Sequence, residues 1–190
     1  MSLDTQGPGV VTLGDADRAA AVTAIKARLR VGLPDDDALI GAFAEAALGL
    51  AEQFVGQVLI ARQMAVTLPV LSGWQRLGAV PVRVIDTIEA IDGAGVASAL
   101  PVTGYAIDID ARGEGWVRLA NAGGAGRVRV TLTAGVADGW DTLAPAIREG
   151  VTMLAAYLYD VRDATQPPPA AIAALWRPYR QIVLAPAGRA

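Results

Sequence analysis

Apolar positions recur every three to four residues at Val22, Ile25 and Leu29, which predicts a helix from Asp15 or Asp17 to about Val31. Either aspartate is a candidate N-cap, and Gly32 and Pro34 end the element. A longer stripe follows at Leu39, Ile40, Phe43, Ala47, Leu50, Phe54, Val58 and Leu59. It predicts a second helix that starts at Asp35-Asp36-Asp37 and ends near Gln63. Acids in a first turn offset the positive end of the helix dipole, and one of them can cap it. Ala44, Ala46 and Gly49 leave room for another element to come close.

From Met64 to Val136 the period shortens to two. Met64–Leu68, Val82–Ile91, Tyr105–Ile109, Trp116–Leu119 and Val128–Thr133 read as strands, and Asp92-Gly93 reads as a turn. Asn121–Gly126 reads as a hairpin loop joining the last two strands. Helical period returns after Asp141-Thr142, with Pro145 in a first turn and Ile147, Val151, Leu154, Leu158 and Val161 on one stripe. Pro167-Pro168-Pro169 is a stiff break before a short helix from Ala170 to Trp176, which Pro178 stops. The expected fold class is α+β, mainly α: a helical bundle with an inserted small antiparallel β unit. One domain over residues 1–190 is expected, with helices at 15–63 and 142–176, the β insertion at 64–136 and an extended basic tail at 177–190.

Composition narrows the chemistry. Of 190 residues, 53% are hydrophobic and only 5% aromatic, so aliphatic side chains must build the core. The absence of Cys and His excludes disulfides, thiolate nucleophiles, zinc fingers and imidazole bases. Ser2, Ser72 and Ser98 are the only serines, and none stands beside an activating partner in sequence. No enzymatic activity, metal or cofactor is expected. Met1–Gly14 lacks a basic region followed by an apolar stretch, so no signal peptide is expected. Glu45 and Glu52 interrupt the longest apolar run, Leu39–Ala61, so an intracellular chain with no membrane span is expected.

The net charge of −3 argues against general binding of nucleic acid through its phosphates. Residues 1–63 hold eight acids and five bases, whereas Arg177, Arg180 and Arg189 end the chain with no acid among them. Lys26 is the only lysine.

Four features carry candidate chemistry. Asp35-Asp36-Asp37 lacks the alternating oxygens and glycine of a calcium loop, and a helix start accounts for it. Asp108 and Asp110 lie two apart, on one strand face if the strand extends that far, without a third ligand nearby in sequence, and read as a surface strand end. Asn121–Gly126 lacks the Lys-Ser/Thr of a phosphate loop, and Arg127 opens a strand where a helix is needed. Trp176-Arg177-Pro178-Tyr179-Arg180 combines the residue types that dominate binding hot spots, and it is the candidate docking segment.

The segments Leu29-Arg30-Val31, Asp36-Asp37-Ala38-Leu39-Ile40, Ala46-Ala47 and Glu52 resemble the opening of a known family. So do Ala144-Pro145-Ala146-Ile147-Arg148, the run Met153 to Tyr159 with Arg162, and Leu175 to Arg180. Together, over about residues 20–182, they resemble the head–tail connector, or head-completion adaptor, proteins of tailed phages and of phage-derived gene transfer agents. Asp160 departs from the glutamate more usual there. The resemblance implies a ring, usually of twelve copies, beneath a portal protein. The ring extends the DNA channel, lets DNA pass without specific binding and presents a surface to the next neck or tail component. A tail terminator or another neck-completion protein is the alternative reading. The resemblance also implies a carboxyl-terminal segment that engages the portal, here Trp176, Arg177, Pro178, Tyr179, Arg180 and Arg189. It implies assembly in a bacterial cytoplasm. Small residues at Ala44, Ala47, Ala155 and Ala156 are candidate subunit faces of such a ring.

Overall fold

The computed structural model describes residues 8–161 and 167–181. They fold into two compact units: a helical unit, Pro8–Ile60 with Val136–Gln181, and a β unit, Ala61–Gly135. Four α-helices and two small antiparallel sheets are present among the described residues, the α+β class that the periodicity predicts.

In the helical unit, α1 spans Asp15–Leu29, α2 Asp37–Val55, α3 Pro145–Asp160 and α4 Ala170–Trp176. The expected aspartate caps are not made. Gly14 holds the N-cap position of α1, and Asp17 instead accepts the Trp140 N–H at 2.7 Å, in the 3-10 turn Trp140–Thr142. Arg30 ends α1 in the left-handed region (φ 58°), before the predicted stop at Gly32. A 3-10 turn, Pro34–Asp36, precedes α2, and no side chain caps that helix. The aspartate run ties helices together instead. Asp37 meets Lys26 Nζ at 2.5 Å, and Asp36 accepts the Tyr159 hydroxyl at 2.5 Å, so the start of α2 is fastened to both α1 and α3. Gly56 (φ 74°) stops α2 well before Gln63, because a glycine takes the left-handed C′ conformation without a Cβ clash.

The core of this unit joins Ile40, Leu48 and Val55 of α2 to Ile25, Ile147, Val151 and Trp140. Fully burying one such aliphatic side chain is worth about 1.5–3 kcal/mol. Ala44, Ala47, Ala155 and Ala156 are all buried in that core. Their small size serves the contact of α2 with α3, so they are not the subunit faces expected of them.

Both glutamates of α2 turn toward the segment that leads into α1. Glu52, fully buried, accepts the N–H of Gly9 at 3.0 Å and of Leu59 at 2.9 Å. Glu45 accepts the Leu13 N–H at 2.9 Å. Residues 8–13 thus lie along α2, and a Cβ on Gly49 would come within 2.5 Å of the Gly9 carbonyl oxygen.

The β unit is inserted where two backbones run side by side. Val136 and Ala137 donate to the carbonyls of Val58 and Leu59 at 3.0 and 2.9 Å, and Ile60 bridges Ala137. Its strands are β1 Arg62–Pro69, β2 Trp74–Arg76, β3 Val82–Ile91, β4 Ala97–Ala99, β5 Tyr105–Ile109, β6 Gly115–Leu119 and β7 Arg127–Ala134. One sheet has the order β1-β7-β3-β4 and the other β2-β6-β5. β3 and β4 form the hairpin that Asp92-Gly93 predicts, with Asp92 Oδ1 accepting the N–H groups of Ala94 and Val96.

The hairpin expected at Asn121–Gly126 is not formed. β6 and β7 belong to different sheets, so this loop carries the chain from one to the other. Asn121 Oδ1 accepts the Gly123 N–H at 2.9 Å, and Gly123 and Gly124 both take positive φ. These are turn signals, and they are equally at home in a crossover.

Candidate docking surface

Trp176 is 4% exposed. Its Nε1–H donates to the Ile147 carbonyl at 3.3 Å, and its ring lies 5.9 Å from that of Phe54. A buried indole finds a hydrogen-bond partner, and this one does so on α3. Beyond it the helix tightens into a 3-10 turn, Arg177–Tyr179, so the first residues expected as extended tail are helical. Pro178 suits this turn because a first-turn residue needs no N–H donor. The segment then returns to α2: Gln181 N–H donates to Val55 O at 2.9 Å, and Gln57 Nε2 to Tyr179 O at 3.1 Å. The Arg180 guanidinium sits 5.8 Å from the Phe54 ring centre.

The structure therefore separates the predicted docking residues by burial. Trp176 is part of the helical core, whereas Arg177, Pro178, Tyr179 and Arg180 are exposed together around the turn it anchors. Arg189 lies outside the described residues.

Two further surfaces were not singled out by the sequence. The exposed positions of α2 are Ala38, Leu39, Ala42, Ala46, Leu50 and Gln53, with no charge among them. In the β unit, Trp74 and Arg118 are cross-strand partners of β2 and β6, with the guanidinium 5.2 Å from the indole centre. Arg76, two residues along β2 from Trp74, pairs with Glu114 at 2.5 Å. With only three residues, β2 is too short for alternation to reveal it in the sequence.

The aspartate pair is divided. Asp108 lies within β5, while Asp110 Oδ1 accepts the N–H groups of Arg112 and Glu114 at 2.8 and 3.0 Å in the following turn. Slight burial of Asp110 works against its charge. The amide donors of Glu114 and Arg112, the Trp116 indole and the Arg112 charge outweigh it and hold the carboxyl below its ordinary range. Among the described residues no three acids gather where they could hold a metal ion.

No family model and no curated protein matches the chain. Solved structures do. A chain in the neck of an empty gene transfer agent particle, computed with C6 symmetry, has 24% identity and a TM-score of 0.68, with 97% of each chain covered. A chain in the virion of a native gene transfer agent particle has 25% identity and a TM-score of 0.65, again with 97% of each covered. One in the neck of the native particle, computed with C12 symmetry, has 26% identity and a TM-score of 0.62, with 87% of this chain and 93% of that one covered. The segments that resemble connector proteins thus sit in a fold that this chain shares nearly end to end with chains from gene transfer agent particles, two of them from the neck.

Proposed function

We propose that the chain is a structural head–tail adaptor of a phage or gene transfer agent particle. The observation that carries this reading is the match over 97% of both chains to a component of a gene transfer agent particle. In this reading the chain assembles as a ring of twelve copies below the portal, extends the DNA channel and receives the next neck or tail component. It is made in a bacterial cytoplasm and ends in the particle. C12 symmetry in the neck of a similar particle supports the copy number. A net charge of −3 per copy gives a ring of roughly −36, which repels DNA and lets it pass.

The portal-docking element is then the exposed turn Arg177, Pro178, Tyr179 and Arg180, held in place by Trp176, with Arg189 following it in sequence. Tyrosine and arginine on a rigid turn give contact area at low entropic cost. Purified chain mixed with portal rings and viewed by negative stain tests the reading: decorated portals are expected. A chain that stays monomeric and never decorates portals would overturn it.

A further inference from the structure

Helix α2 has 19 residues, and its three charges are all spent within its own unit. Asp37 pairs with Lys26, Glu45 serves Leu13 and Arg18, and Glu52 is fully buried. What it turns outward is Ala38, Leu39, Ala42, Ala46, Leu50 and Gln53. Leu39 is 45% exposed and Leu50 48%, and Phe43 between them is only partly covered. A surface helix ordinarily puts charged and polar residues opposite its core stripe, and a helix apolar all round is a buried one. The segment Pro34–Val55 is long and apolar enough to cross a membrane, yet only half of its most apolar stretch is buried within the chain.

We infer that a second copy of this chain covers the outward face of α2, making it one of the two unlike faces through which the ring closes. This rests on the ring reading above. Two observations select the occupant. Similar chains come from necks computed with C6 and C12 symmetry, and a cyclic ring needs on every copy two different patches that fit each other. Ala38, Ala42 and Ala46 follow one another at helical spacing beside Leu39 and Leu50, so a neighbouring element can approach the α2 backbone closely and still cover both leucines. A membrane is the lesser fit, because Glu45 and Glu52 lie within the same helix and α1 packs along it.

The test compares the full chain with Ala46→Glu and with Leu50→Glu. Both positions are exposed, so monomer fold, read by circular dichroism and thermal unfolding, is retained. Self-assembly is followed by mass photometry over rising concentration and by the neck content of particles made in cells carrying each variant. A buried, unpaired carboxylate should raise the concentration for half-assembly by about a hundredfold or more and empty the necks. Val102→Glu, at a 78% exposed site in the β unit, serves as the control that keeps assembling. Rings formed as readily by the α2 variants as by the natural chain overturn this inference and leave the ring reading standing. A natural chain found as a monomer in solution and absent from necks overturns both. Sedimentation with neutral lipid vesicles that is lost in Leu50→Glu overturns the inference in favour of a membrane.

Discussion

The indole of Trp176 occupies the space that a side chain at position 150 would need: a Cβ built on Gly150 overlaps its Nε1. Alanine in place of a helical glycine gains about 1 kcal/mol of helix propensity. Here the overlap wins, because the indole cannot retreat without giving up Ile147 O and Phe54. Gly150→Ala is expected to lower stability by about 1–3 kcal/mol, read by urea unfolding followed on tryptophan fluorescence.

Neighbouring residues of the docking turn should behave in opposite ways. Trp176→Ala is expected to cost about 3–5 kcal/mol, because it empties a core site. Tyr179→Ala, at a 38% exposed position, should stay within about 0.5 kcal/mol of the parent. If the turn docks on the portal, Tyr179→Ala weakens portal decoration while its unfolding curve is unchanged. Equal loss of stability in both variants would contradict the division between anchor and contact.

Glu52→Ala removes the acceptor of two N–H groups on segments far apart in sequence, Gly9 and Leu59. A loss of about 2–5 kcal/mol is expected, dominated by buried donors left without that carboxylate. Amide exchange at Leu59 should accelerate before that of the mid-helix amides of α2, which hydrogen-exchange NMR reads directly.

Asp110 gives the chain a small dependence on acid. Its folded pKa is lowered from 3.8, so the charged carboxylate favours the native state. That contribution is complete above the unfolded value and disappears as pH falls through the lower folded one. The stability difference between the natural chain and Asp110→Ala should therefore be level between about pH 7 and 5 and shrink below about pH 4. A difference that grew on acidification would contradict the turn geometry at Arg112 and Glu114.

Elements with a strong local pattern or clear proline bounds were legible in the sequence. β3 runs from Val82 to Ile91, as its alternation predicts, and the short α4 runs from Ala170 to Trp176, between the proline break and Pro178. What escaped was whatever depended on distant partners. Asp17 and Asp36 look like caps by position, but their oxygens go to Trp140 and Tyr159, more than a hundred residues away. β2 and β4 have three residues each, too few to show alternation. Gly56 was a readable stop for α2, but the apolar stripe running on through Val58 and Leu59 masked it. The docking segment was visible as a cluster of residue types. Which of its members is core and which is surface is decided by Gly150 and Phe54, elsewhere in the chain.

Helix α2 is fastened at both approaches to the helical unit: Glu52 takes the Gly9 N–H, and Val55 offers its carbonyl to Gln181. A pull on residues 8–13 or on the segment after Trp176 is therefore delivered to the last turns of the same helix. Neither end can be peeled away as a loose thread, and the unit must yield as a whole or hold. Resistance of the helical unit to such a pull therefore converges on one largely buried helix.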